Sequence, residues 1–358
     1  MKILFFIENL GPGGKERRLT ELIYDLVKNH GYECTIVLTK LEIHYDKLRN
    51  INIQPIIIEK THKKDLSIFY KFYKIAKQLK PDIIHVWGNL AATYAIPAKL
   101  FLKIPLINNQ ITDAPCFSKI NFNYKVNFFF SDKIIANSEA GLKSYNVKKT
   151  EGLVIYNGFD FNRIKNITDR ETLKNRLNIH SKFVIGMVAT FSLSKDYQTY
   201  IDAALKILEY NQDISFLCIG SGDNQMYKNQ IPKKFEDKIK FTGAIKDVES
   251  LINICDIGVL TSFGEGISNA ILEFMALSKP VIATNLGATS ELIEDDISGF
   301  LINESAVQEL ENYLLLLIND DKRRQQMGER GFEIVNQKFG MKRMTDEFLS
   351  VYEKIIKK

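Results

Sequence analysis

The chain has 358 residues, 45% apolar and 25% charged, which excludes disorder, a collagen repeat and a small disulfide scaffold and predicts two domains. Its net charge of +5 is unevenly spread. Residues 1–165 carry 25 Lys/Arg against 15 Asp/Glu, a net of +10, and residues 166–358 carry 23 against 28, a net of −5, so the two halves face different partners.

Short apolar runs alternate with helical patterns along the chain. Strands are predicted at 3–7, 33–39, 53–58, 82–86, 104–108, 132–136 and 152–156, then at 182–188, 214–219, 238–242, 255–260 and 280–283. Helical patterns fall at 15–28, 65–79, 138–145, 196–210, 267–278 and 304–318, and 320–358 reads as helices without a strand. Nearly all-apolar strands in βα alternation imply parallel sheets covered on both faces. The turn-forming Tyr156-Asn157-Gly158-Phe159-Asp160 separates the two series, with a hinge near 158–166. The expected α/β architecture is two Rossmann-like, doubly wound domains facing across a deep cleft. The first spans 1–160, with a terminal helix at about 340–358 packing back on it; the second spans 161–339. Ligands then belong at the carboxyl ends of the strands.

Met1–Leu10 has one basic residue and an apolar run broken by Glu8, unlike a secretory leader. No run reaches the ~18 apolar residues of a membrane span. Cys34, Cys116, Cys218 and Cys255 form no C-x-x-C pair, which fits a reducing, cytoplasmic setting. With no D-x-D pair and no His/Asp cluster, no cofactor or essential metal is expected.

The strongest local signal is Glu265-Gly-Ile-Ser-Asn-Ala-Ile-Leu-Glu273 after a strand ending near Leu260. A helix starting around Ile267 would present the backbone N–H groups of Gly266, Ile267, Ser268 and Asn269 to an anion. Glu273 is the only charge between Gly266 and Ser278, among Ile271, Leu272, Phe274, Met275 and Leu277. A carboxylate there needs hydrogen bonds, and the vicinal hydroxyls of a ribose would supply them. Glu265 at the loop edge would meet hydroxyls of a second part of the ligand. The bland alternative is a dipole-favouring Glu265 and a solvated Glu273. The segment Gly186 to Asp196 reads as strand, loop and helix, with Ser194 as N-cap and Lys195 placed to hold a diphosphate.

These pieces resemble the donor domain of the retaining glycosyltransferases of family 4, whose two-Rossmann architecture is called GT-B. The resemblance rests on the E-x7-E pair Glu265 and Glu273, the strand-loop-Lys195 segment, and Ile219-Gly-Ser-Gly222. It extends through Phe241-Thr-Gly243, Pro280 to Gly287 with Glu291, and Gly11-Pro-Gly-Gly-Lys-Glu-Arg17 and Val154 to Gly158 in the first half. It implies a nucleotide-sugar donor, with UDP-sugar favoured. Glu273 would hold the ribose, Glu265 the transferred sugar, Lys195 and the 266–269 backbone the diphosphate, and the chain after Gly243 would lie near the base. Many relatives carry arginine where this chain has Thr190, so Thr190 offers a hydroxyl in place of a second cation. Gly13 and Gly14 would approach the donor phosphates. A dinucleotide fingerprint is excluded, because it requires glycine where Glu16 stands.

After the fourth strand come His85 and Trp87, the only tryptophan; either the indole stacks a sugar or both rings are core. A family histidine near the reacting sugar corresponds to Gln110, an amide that cannot act as a base but can hydrogen-bond donor or acceptor. Asp113 is a further polar candidate. Residues 60–80 form a basic, aromatic helix with Leu66, Phe69, Phe72, Tyr73, Ala76 and Leu79 on one face. It is either a core-packed helix with solvated lysines or a peripheral contact to an anionic membrane. Nucleic acid is not expected, since no nucleic-acid module accompanies the charge.

The resulting expectation is a hexosyltransferase acting on a growing, lipid-linked bacterial surface glycan, as in capsule or lipopolysaccharide assembly. The alternatives are a GT-B nucleotide-sugar epimerase and a non-catalytic sugar-nucleotide binding protein.

Overall fold

The computed structural model describes residues 1–62, 65–114 and 122–357; Lys63, Lys64 and Cys116 lie outside the described residues. The chain divides into two units, residues 1–158 with 342–358, and residues 159–341.

The first unit is built on seven parallel strands. These are β1 (Lys2–Phe6), β2 (Glu33–Leu38), β3 (Ile56–Ile57), β4 (Ile83–Val86), β5 (Leu106–Ile111), β6 (Lys133–Ala136) and β7 (Gly152–Val154), in the spatial order β3-β2-β1-β4-β5-β6-β7. Ile3, Leu4, Phe5 and Phe6 are all buried, as a strand with helices on both faces demands. The second unit has six: β8 (Phe183–Val188), β9 (Ile214–Ile219), β10 (Ile239–Gly243), β11 (Ile257–Leu260), β12 (Val281–Thr284) and β13 (Gly299–Ile302), in the order β10-β9-β8-β11-β12-β13. The strand order reverses between β1 and β4 in one sheet and between β8 and β11 in the other. Each reversal opens a crevice at the carboxyl ends of the flanking strands.

Several elements lie outside the predicted pattern, among them strand β13 and the helix Asn89–Leu102. Strand β13 is four residues long, and one of them is glycine. Helix Asn89–Leu102 carries Pro97 inside it and buries mainly Ala91, Ala92, Ala95 and Ala98. Pro97 removes a backbone donor, and the alanine-rich helix lacks a polar-apolar contrast.

The helix Met341–Ile356 buries Met344, Phe348 and Tyr352. His85 Nδ1 and the Tyr352 hydroxyl form a 2.8 Å hydrogen bond. Burial, with the nearby Arg18 charge, holds the His85 imidazole neutral, far below its usual range. Trp87 is fully buried and 5.3 Å from the His85 ring. The indole is therefore core, and the sugar-stacking alternative is withdrawn. Arg18, 2% exposed, lies over the adjacent Trp87 and Phe348 rings, at 5.1 and 5.4 Å from their centroids. Its Nη2 donates to Ile155 O at 2.6 Å and its Nε to Met344 Sδ at 3.4 Å.

Helix Ser67–Leu79 also corrects the expected face. Ile68, Phe72 and Ala76 are buried, while Leu66 is 74% exposed. Leu66 precedes the first helical turn, so it does not share the buried stripe. Tyr70 and Phe101 are 64% and 75% exposed, and Lys74 Nζ lies 5.5 Å from the Tyr70 ring. Among the described residues, no helix is long and apolar enough to cross a membrane.

Candidate functional site

In the second unit, the loops after β8 and β11 flank the point where strand order reverses. The β8 loop carries Thr190 and Lys195; the β11 loop carries Glu265 to Ser268. Backbone bonds tie them together: Asp196 N donates to Thr261 O at 3.0 Å, and Phe263 N to Ser194 O at 2.9 Å. Lys195 and Ser262 form an antiparallel bridge. Residues distant in sequence thus present one continuous edge.

Two glycines make this edge possible. Gly220, at φ +155°, packs against the β8 loop so closely that a Cβ would lie 1.9 Å from Ala189 O. Gly287, at φ +58°, sits under the β11 loop, where a Cβ would lie 1.9 Å from Glu265 O. Only glycine fits either position. Ala288 N then donates to Glu265 O at 3.0 Å, which fixes the backbone of that glutamate.

The Lys195 ammonium is paired with the Glu265 carboxylate, and both are largely buried. Thr190 is exposed on the same loop. The helix that follows begins at Asn269, with Ser268 as its N-cap accepting from Ile271 N at 3.5 Å. It therefore starts two residues later than the sequence predicted. Gly266 and Ile267 therefore precede the helix, and the Ser268 hydroxyl takes up one first-turn donor, Ile271 N. Asp196, not Ser194, caps the helix Tyr197–Leu208, accepting from Thr199 N at 3.1 Å. Gly243 ends β10 at φ +73°, and its carbonyl accepts from Gly220 N at 3.1 Å.

Glu273 is 3% exposed, which overturns a solvated reading. Its Oε1 accepts from Arg163 Nη2 at 2.7 Å, and Arg163 also pairs with Glu249. Sequence reasoning missed Arg163, which is 110 residues from Glu273. It follows the turn-forming linker, and no local pattern connects it to the E-x7-E motif.

The remaining candidates lie in the first unit. Gly13 is the N-cap of helix Gly14–His30, its carbonyl accepting from Tyr45 Oη at 3.1 Å; Gly14 is the first helical residue. Glu16 and Arg17 belong to that helix. Gln110 lies inside β5, not in a loop beyond it, and is 5% exposed. Polar side chains made Asn108 to Gln110 look like a strand end, but the backbone stays in the sheet through a register shift against β6. Gln110 Oε1 accepts from Asn127 Nδ2 at 3.1 Å, so only its Nε2 remains unpartnered. Asp113 is exposed and accepts from Tyr145 Oη at 2.8 Å.

Residues 12–163 match the model of Glycosyltransferase Family 4, and residues 169–334 match that of Glycosyl transferases group 1. An uncharacterised glycosyltransferase of Methanocaldococcus jannaschii is 28% identical, over 99% of this chain and 94% of that protein. The N,N'-diacetylbacillosaminyl-diphospho-undecaprenol alpha-1,3-N-acetylgalactosaminyltransferase of Campylobacter jejuni is 22% identical, over 94% of each. The Anabaena protein HepE, solved with UDP and glucose, superposes with a TM-score of 0.86 at 23% identity, over 99% of each chain. Two parallel-sheet units and two family models that together run through nearly all of the sequence lead to one conclusion: this chain is a family 4-like glycosyltransferase of GT-B fold.

Proposed function

We propose that the second unit binds a nucleoside-diphosphate sugar, with UDP-sugar favoured, and that the enzyme transfers its hexose with retention of configuration. The observation that carries this reading is the convergence of Lys195, Glu265, the approach to helix Asn269–Ala276 and buried Glu273 where the strand order reverses. An ammonium beside a helix start suits a diphosphate, and a buried carboxylate suits a diol. In this reading Glu273 takes the ribose and Glu265 the transferred sugar. Lys195 and the backbone at Gly266, Ile267, Ser268 and Asn269 take the diphosphate, and Thr190 adds a hydroxyl. By the family resemblance, Gly13 and Gly14 remain candidates for close backbone approach to the donor phosphates, and Gln110 has only its Nε2 to offer. The leaving phosphate accepts the proton of the attacking hydroxyl, so positioning and charge stabilisation dominate the rate. The reaction uses no metal.

The test is a thermal-shift series with UDP-, GDP- and ADP-sugars on wild type and Glu273→Ala. Binding stabilises the native state by mass action, so the preferred donor raises Tm in wild type and not in the variant. A folded Glu273→Ala enzyme with full turnover would sink the assignment. Acceptor dependence separates transfer from epimerisation, since an epimerase converts the donor alone.

For the acceptor we favour a lipid-linked glycan of bacterial surface polysaccharide assembly, met at the cytoplasmic face of the membrane. Exposed Leu66, Tyr70 and Phe101 among lysines support it. Each basic residue near an anionic surface contributes about 1 kcal/mol. Co-sedimentation with phosphatidylglycerol vesicles should exceed that with phosphatidylcholine, and Lys74→Glu with Lys77→Glu should reduce it. Equal binding to both vesicles would count against membrane docking.

A further inference from the structure

We propose that Arg163 is a positioning residue that fixes the Glu273 carboxylate for a ribose diol, an inference that rests on the donor reading above. Glu273 lies on a helix whose neighbours Leu272, Phe274 and Met275 are buried with it. A carboxylate in such surroundings is costly unless its charge is compensated and its lone pairs are engaged. Arg163 does both, donating to Oε1 at 2.7 Å.

The same Nη2 also pairs with Glu249, 5% exposed, on helix Val248–Ile254. One guanidinium therefore serves two carboxylates. A carboxylate has about four lone-pair sites, so Glu273 can accept further hydrogen bonds alongside that from Arg163. A hydroxyl supplies a donor for them without adding charge, and a diol supplies two.

The guanidinium is itself held in place. Arg163 Cζ lies 5.0 Å from the centroid of the Phe159 ring, a stacked cation contact. Phe159 is 2% exposed, and its N–H donates to Phe339 O at 2.7 Å, so the platform is anchored to the backbone. Asp160 caps the short turn Phe161–Ile164 that carries the arginine, accepting from Asn162 N at 3.0 Å. A lysine would keep the charge but lose the planar fork and the stacking. Arg163 thus sets the orientation of Glu273 without touching the ligand.

The experiment compares dissociation constants, by isothermal titration, for a nucleoside diphosphate and its 2′,3′-dideoxy analogue. UDP is the probe, replaced by GDP or ADP if one of those raises Tm more. Wild type should prefer the diol at least about tenfold, since two hydrogen bonds to a charged acceptor are lost in the analogue. Arg163→Met should narrow the preference below about threefold, and Arg163→Lys should fall between. Glu273→Gln should abolish the preference, and adding Arg163→Met to it should change nothing further, because the two act as one unit. A merely structural arginine would lower Tm and leave the diol preference intact. That result would overturn the proposal while the donor reading stands. No diol preference in wild type would overturn the donor reading itself. Arg163→Lys keeps the test open if Arg163→Met does not fold.

Discussion

Lys195→Ala is expected to lower kcat by about 10²–10³-fold, the range for removing one preorganised charge stabiliser. The ammonium is the cation the β8 loop offers, since Thr190 brings only a hydroxyl. In the proposed reading, negative charge grows on the leaving diphosphate as the glycosidic bond breaks, and Lys195 would act on it from a largely buried setting. Lys195 also pairs with Glu265, so two effects of the mutation must be separated: losing the proposed diphosphate contact and stranding the carboxylate. Comparing Glu265→Gln with the double variant Lys195→Ala, Glu265→Gln separates them. If lysine merely neutralised Glu265, the double variant would turn over as fast as Glu265→Gln alone. It is expected to be slower by a factor close to that of Lys195→Ala in the wild-type background, because the amide removes the stranded charge but gives the diphosphate no cation. Initial rates at saturating donor decide the matter, and equal kcat for the two would reassign Lys195 to a structural role.

The second large effect is on stability. Arg18→Ala should destabilise the terminal helix by about 3 kcal/mol, through a cavity over two rings and the loss of the bond to the Ile155 carbonyl. Arg18→Met should cost only about 1 kcal/mol, because the volume over Trp87 and Phe348 stays filled. The contrast follows from the environment of Arg18. Burial and the neighbouring Arg343 charge lower its pKa to about 9, so the charge itself is unfavourable there. What the arginine contributes is packing and one bond to the linker carbonyl. Amide exchange over Lys342–Ile356 measures this directly, and about 3 kcal/mol corresponds to over a hundredfold faster exchange. Equal effects of Ala and Met would show that packing is not the main contribution.

Much of the candidate site was legible because its signals are local. Glu265 and Glu273 share one loop and helix, and Lys195 follows a recognisable strand, so spacing alone placed them at strand ends. Two kinds of residue were not legible. Arg163 meets its partners across long stretches of sequence, and nothing near it in the chain records that pairing. His85, Trp87 and Gln110 were visible as polar or aromatic residues near strand ends. Their burial depends on what packs over the sheet, which in the case of His85 and Trp87 is a helix near the end of the chain.

By itself, the sequence determined that this protein has two parallel-sheet units and that Glu265 and Glu273 share one loop and helix after a strand. Apolar periodicity and turn residues suffice for that, since both are read within a dozen positions. The tertiary structure decided which charges are compensated and which rings are core. It showed that Glu273 is buried against an arginine, that Lys195 is held by Glu265, and that Trp87 is covered by the terminal helix. Those outcomes depend on burial and on partners contributed by other strands and helices, and the free energy of a polar group is set by those neighbours rather than by its place in the chain.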